Sequence, residues 1–97
     1  YINNVLVCYS DFNQPLNNWN VSNVTTMYGA FNGCVSFNQP LSSWNTGKVT
    51  NMDYMFSRAS AFDQNLHGWN VSKVTSHTNF DQYTATWTVS EKPVFPT

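Results

Sequence analysis

The chain has 97 residues, room for one domain, and a formal net charge of -1. Only 9 % of its residues are charged, against about a quarter in ordinary globular chains, which excludes a basic face for nucleic acid or anionic lipid. Its apolar runs are too short to cross a bilayer, and its two cysteines are too few for a disulfide framework or a zinc site.

Asn, Ser and Thr take the place of the missing charges, and the apolar residues recur with a period of 25. Phe12, Phe37 and Phe62 share a phase, as do Leu16, Leu41 and Leu66, then Trp19, Trp44 and Trp69, then Val24, Val49 and Val74. A fixed period of this length marks a stacked repeat. A single copy offers too few apolar side chains to offset the ordering of its backbone, so neighbouring copies must share a core.

Taken in order, residues 1–11 read as the helical half of a truncated repeat. Ile2, Val5, Leu6 and Tyr9 have the spacing of one helical face. The chain opens at Tyr1 in mid-repeat, so it reads as a fragment of something longer. Full copies follow at 12–36, 37–61 and 62–86. Each begins with a loop, FNQPL or FDQNL, in which Pro15 and Pro40 forbid a regular helix. A short strand is expected next, with Trp19 and Val21, Trp44 and Thr46, or Trp69 and Val71 facing inward and Asn20, Asn45 and Asn70 outward. A short helix is expected after it, carrying Met27, Ala30, Phe31 and Cys34 in one copy and Met52, Met55, Phe56 and Ala59 in the next. The third copy decays after Val74, where His77, Asp81 and Thr84 replace apolar residues. Residues 75–97 therefore read as a terminal cap with a polar outer face.

These expectations define a right-handed α/β repeat solenoid, leucine-rich-repeat-like, with short parallel strands on one face and short helices on the other. Its expected core is Phe12, Leu16, Trp19, Met27, Phe31, Phe37, Leu41, Trp44, Met52, Phe56, Phe62, Leu66 and Trp69.

The stretches LNNWNVSNVTTM at 16–27 and LSSWNTGKVTNMDYMFSRASAFDQ at 41–64 resemble the BspA-like leucine-rich repeats of bacterial surface proteins, the 25-residue mycoplasma-type surface lipoprotein repeat. The likeness runs from Ile2 to Trp87, and the ending resembles the terminal cap of such arrays. It implies a scaffold at the cell surface or outside the cell. It implies adhesion as the function of some members, with no catalytic residues and no cofactor to carry over.

Among the candidate sites, the tryptophan column reads either as core or as a stacking platform for sugar rings, and its alternation with Val21 and Val71 favours core. Asn20, Asn45 and Asn70, with Ser22, Ser43 and Ser72 beside them, form a row of small polar groups suited to a protein or glycan partner. Asn20, Asn23 and Asn70 also head glycosylation sequons. Cys8 and Cys34 lie one residue out of phase, which leaves both a disulfide and two buried thiols open. His67, His77, Asp11, Asp53, Asp63 and Asp81 occupy different phases, so they offer no converging acid–base pair or metal site. The expected function is a non-catalytic, surface-exposed module of the adhesion type. The competing expectation is a structural protein that stacks end to end through its open N-terminal end.

Overall fold

Tight turns, not helices or strands, carry most of this chain. The computed structural model describes residues 11–96. The truncated repeat expected at 1–11 falls almost wholly outside them, as do Cys8 of the Cys8–Cys34 pairing and the N-terminal end expected to self-associate.

The stretch from Met27 to Cys34 shows how the backbone is satisfied. The N–H groups of Ala30, Asn32 and Cys34 each donate to the carbonyl three residues earlier, at 3.1 Å. The intervening N–H groups of Met27, Gly29, Phe31 and Gly33 donate instead to the carbonyls of Asn51, Asp53, Met55 and Ser57 in the next copy, at 2.7–2.9 Å. The second copy repeats this toward the third, with Met52, Tyr54, Phe56 and Arg58 donating to Ser76, Thr78, Phe80 and Gln82. The result is a main-chain ladder in which every second N–H points to the following copy.

The backbone angles explain why no helix forms in the stretches from Met27, Met52 and His77. Gly29 and Gly33 have φ of 63° and 78°, their counterparts Tyr54 and Arg58 have 58° and 66°, and Asn79 and Tyr83 have 51° and 65°. A left-handed residue at every fourth position interrupts a right-handed helix before it can propagate.

The expected solenoid of alternating strands and helices is therefore corrected. Among the described residues the one helical element is a 3-10 turn, Val89–Glu91. Among these residues parallel pairing is limited to the isolated bridges Thr26 to Asn51 and Asn51 to Ser76, and no sheet forms near Trp19, Trp44 or Trp69. The molecule is a compact body of 31 × 25 × 20 Å. The Met27, Ala30, Phe31 and Cys34 positions are buried as a helical face would bury them, but a series of overlapping turns does it.

The 25-residue register survives inside this body as contacts. Phe12 stacks on Phe37 and Phe37 on Phe62, with ring centroids 5.8 and 5.9 Å apart. Phe31 stacks on Phe56 at 5.2 Å and Trp44 on Trp69 at 6.3 Å. Each buried indole also clamps the preceding copy: Trp44 Nε1 donates to the Leu16 carbonyl at 2.9 Å and Trp69 Nε1 to that of Leu41 at 3.0 Å. Polar loops do the same work with side chains. Asn38 N–H donates to Asn13 Oδ1 at 2.8 Å, and Asp63 N–H to Asn38 Oδ1 at 2.9 Å. Gln39 and Gln64 add Nε2 bonds to Asn13 and Asn38.

Most of the expected core is buried, namely Leu16, Met27, Phe31, Phe37, Leu41, Trp44, Met52, Phe56, Phe62, Leu66 and Trp69. Phe12 is only partly buried, and Trp19 is 45 % exposed. Among the described residues the Trp19 indole makes no hydrogen bond like those of Trp44 and Trp69, and its ring stacks on no other. Cys34 is fully buried and is not a free thiol.

Candidate functional site

The amide row is built on three equivalent turns. Asn20 Oδ1 accepts the Ser22 N–H at 3.0 Å and the Ser22 hydroxyl at 2.7 Å. Asn45 Oδ1 accepts the Gly47 N–H at 3.0 Å, and Asn70 Oδ1 the Ser72 N–H at 3.1 Å. Short polar side chains favour this local bond because it mimics a backbone turn. All three Asn are exposed. Because the oxygen end is fixed by an N–H, the other end of each amide must be the donor. Among the described residues no Nδ2 of the three donates within the protein.

A Cβ placed on Gly47 would lie 3.1 Å from Asn45 Oδ1 and 3.5 Å from Asn70 Nδ2. The absent side chain thus lets the amides of two copies approach. Ser43 serves its neighbour: its hydroxyl donates to the Asn17 carbonyl at 2.6 Å and its N–H to Asn17 Oδ1 at 3.1 Å. Ser22 is tied to Asn20, and Ser72 keeps its hydroxyl exposed.

A second surface feature was not legible from the residue pattern. Tyr28 and Tyr54 lie 5.8 Å apart, and the Arg58 guanidinium sits 5.5 Å above the Tyr83 ring. Arg58 and Tyr83 border a shallow depression of about 410 Å³ with Val35 and Ser60. Three of these side chains, on Tyr54, Arg58 and Tyr83, rise from left-handed backbone positions. The available signal was Gly29 and Gly33, four residues apart in the first copy, which mark the same positions in the others.

The titratable groups are dispersed in local roles. Asp53 accepts from the Ser76 hydroxyl at 2.6 Å and the Thr78 N–H at 2.8 Å. His67 Nδ1 lies 3.2 Å from the Lys92 carbonyl, and His77 stacks on Phe95 at 4.1 Å. Asp81 pairs with Lys92 at 2.7 Å. The carboxyl groups of Asp63 and Glu91 share a hydrogen bond, which raises the Asp63 pKa above its ordinary 3.8 and lowers that of Glu91. Among the described residues no three His, Cys, Asp or Glu side chains gather where they could hold a metal ion. No helix among them is long and apolar enough to cross a membrane.

Residues 1–92 match a family model described as "Mycoplasma protein of unknown function, DUF285". The chain belongs to this family. No curated protein and no solved structure matches it. The DUF285 match takes in every copy of the repeat, from the stretch before Phe12 to the 3-10 turn at Val89–Glu91. Its description names no activity, so a functional reading of this DUF285 chain rests on its surface.

Proposed function

We propose that this DUF285 chain is a non-catalytic binding module displayed at the cell surface, of the kind found in BspA-like surface proteins, and that it holds a protein or glycan partner. The observation that carries the reading is the amide row. Asn20, Asn45 and Asn70 are exposed, equivalent and fixed at Oδ1 by their own turns. Each therefore offers an Nδ2 donor whose orientation is set before a partner arrives, which limits the entropy lost on binding. Carbonyl oxygens of a peptide and hydroxyl oxygens of a glycan both accept from such a row. Repetition adds weak contacts through effective concentration. The scarcity of charge makes the contact nearly independent of salt.

The test is the triple replacement Asn20→Asp, Asn45→Asp and Asn70→Asp. Aspartate keeps an oxygen for each turn N–H but turns the free donor into an acceptor. Capture on a panel of immobilised matrix proteins and glycans should be lost, while the thermal melt falls only by the repulsion between neighbouring carboxylates, which added salt reduces. Capture that survives the triple change places the contact elsewhere on the molecule.

A further inference from the structure

The repeat breaks its own pattern at one column. Residues 33, 58 and 83 share a phase and a left-handed backbone, with φ of 78°, 66° and 65°. Glycine adopts that conformation at least cost, and the first copy has it at Gly33. The other two copies carry Arg58 and Tyr83 there instead. Large side chains at a strained position point to a use for the side chain itself.

Neither side chain serves the fold through a hydrogen bond. Arg58 is the one arginine of the chain, and all five carboxyl side chains of the protein lie among the described residues. Of these only Asp81 forms an ion pair there, and its partner is Lys92. Among the described residues the guanidinium N–H donors find no acceptor, and the Ser60 hydroxyl and the Tyr83 phenol find no partner. The guanidinium is held in place all the same, 5.5 Å above the Tyr83 ring.

These groups converge on the depression of about 410 Å³. Arg58 and Ser60 come from the second copy, Tyr83 from the third and Val35 from the first. The site therefore occurs once, unlike the amide row. Val35, 42 % exposed, and Tyr83, 64 % exposed, give it apolar surface. A guanidinium fork matches the paired oxygens of a carboxylate. The Tyr83 ring packs against apolar C–H groups, and the hydroxyls of Ser60 and Tyr83 both donate and accept. The Val35 and Arg58 N–H groups are already given to the Gly33 and Gln82 carbonyls, so recognition falls to side-chain tips. A carboxylate, a ring with an apolar face and a rim of hydroxyls describe a sugar acid, and the volume suits one ring of it.

We infer that the depression at Val35, Arg58, Ser60 and Tyr83 binds one uronic-acid unit of an acidic glycan. The site is separate from the amide row and does not rest on that row being a binding site.

The experiment titrates the 97-residue chain with glucuronate, glucose and N-acetylaspartate amide, read by NMR. A single arginine gives a single Nε–H signal, so Arg58 reports on the carboxylate and the Tyr83 ring on the apolar contact. Glucuronate should move both signals to saturation with a Kd of about 1 mM, and more weakly as salt rises. Glucose lacks the carboxylate and N-acetylaspartate amide lacks the ring; each should bind at least about tenfold more weakly. Arg58→Lys keeps the charge, loses the fork and should weaken glucuronate binding by about tenfold. Arg58→Gly restores the residue of the first copy. It should abolish binding yet melt at or above the parent's temperature. The Asn20→Asp, Asn45→Asp and Asn70→Asp triple variant should bind glucuronate like the parent at moderate salt, where its added carboxylates are screened. A glucuronate titration that leaves the Arg58 signal in place overturns the inference. So does N-acetylaspartate amide binding as tightly as glucuronate, which would make an acidic peptide the ligand. An Arg58→Gly protein that melts well below the parent overturns it too, since the arginine would then serve the fold.

Discussion

Trp44→Ala should destabilise the domain by about 3–5 kcal/mol, the range for deleting a buried aromatic side chain. The residue is 3 % exposed, stacks 6.3 Å from Trp69 and lies 5.9 Å from Phe31. Its Nε1 bond to the Leu16 carbonyl at 2.9 Å contributes about 1 kcal/mol of that. That carbonyl is not left bare, because the Trp19 N–H also donates to it at 3.0 Å. Trp44→Phe keeps one stacked ring and loses the bond and part of the area, for about 1.5–2.5 kcal/mol. In a domain this small each kcal/mol moves the melting temperature by roughly 4–8 °C, so Trp44→Phe should lower it by roughly 6–20 °C. Trp44→Ala should remove most of a stability of about 5 kcal/mol. Trp19→Ala is the internal control. It occupies the same column, but at 45 % exposure and with no ring partner among the described residues, it should cost about 1 kcal/mol. Scanning calorimetry on the three variants reads all of this directly. Equal losses from Trp19→Ala and Trp44→Ala would refute the reasoning, because burial and the indole clamp would then not set the cost.

Asn38→Ala should cost about 1–2 kcal/mol in urea denaturation, since it removes the acceptor of both the Asp63 N–H and Gln64 Nε2. Gly33→Ala should cost about 1 kcal/mol through backbone strain alone, because its φ is 78° and an added Cβ meets nothing within 4 Å; an unchanged melt would mean that the left-handed turn is not held. The Asp63–Glu91 pair sets two opposed pH arms. Asp63, with its pKa raised by the bond to Glu91, contributes stability that is full below 3.8 and is lost as pH rises through its raised value. Glu91, with its pKa lowered, contributes stability that is present above 4.5 and is lost as pH falls through its lowered value. Asp63→Asn should therefore abolish the fall in melting temperature on the upper arm, which thermal melts from acid to neutral pH would register.

The repeat and most of its buried positions were legible in the sequence, whereas the backbone conformation was not. Met27, Ala30, Phe31 and Cys34 sit at i, i+3, i+4 and i+7, and both a helix and overlapping turns bury that set. Only the conformation at 29 and 33 separates the two, and the glycines there are replaced by Tyr54 and Arg58 in the next copy, which hides the requirement. Trp44 and Trp69 were legible as apolar, but the reason for tryptophan over phenylalanine, an N–H that reaches a carbonyl 28 residues earlier, depends on the packing of two copies. Asn20, Asn45 and Asn70 were expected to face outward from a strand; they are exposed, but on turns, and Trp19, expected inward beside Asn20, is exposed too. That Oδ1 is spent on a turn and only Nδ2 remains was not legible, because it depends on the local backbone path after each Asn.

The ladder also has a mechanical consequence. Its rungs join one copy to the next, and within a copy the chain is held only by short turns. Drawing the two ends apart would therefore load the outermost rungs first and release the chain one copy at a time. With a contact register of 25 residues, each release would add roughly 80–90 Å of slack at 3.3–3.6 Å per residue. Under tension the molecule would behave as a tether that lengthens in equal steps, absorbing a pull before the last copy lets go.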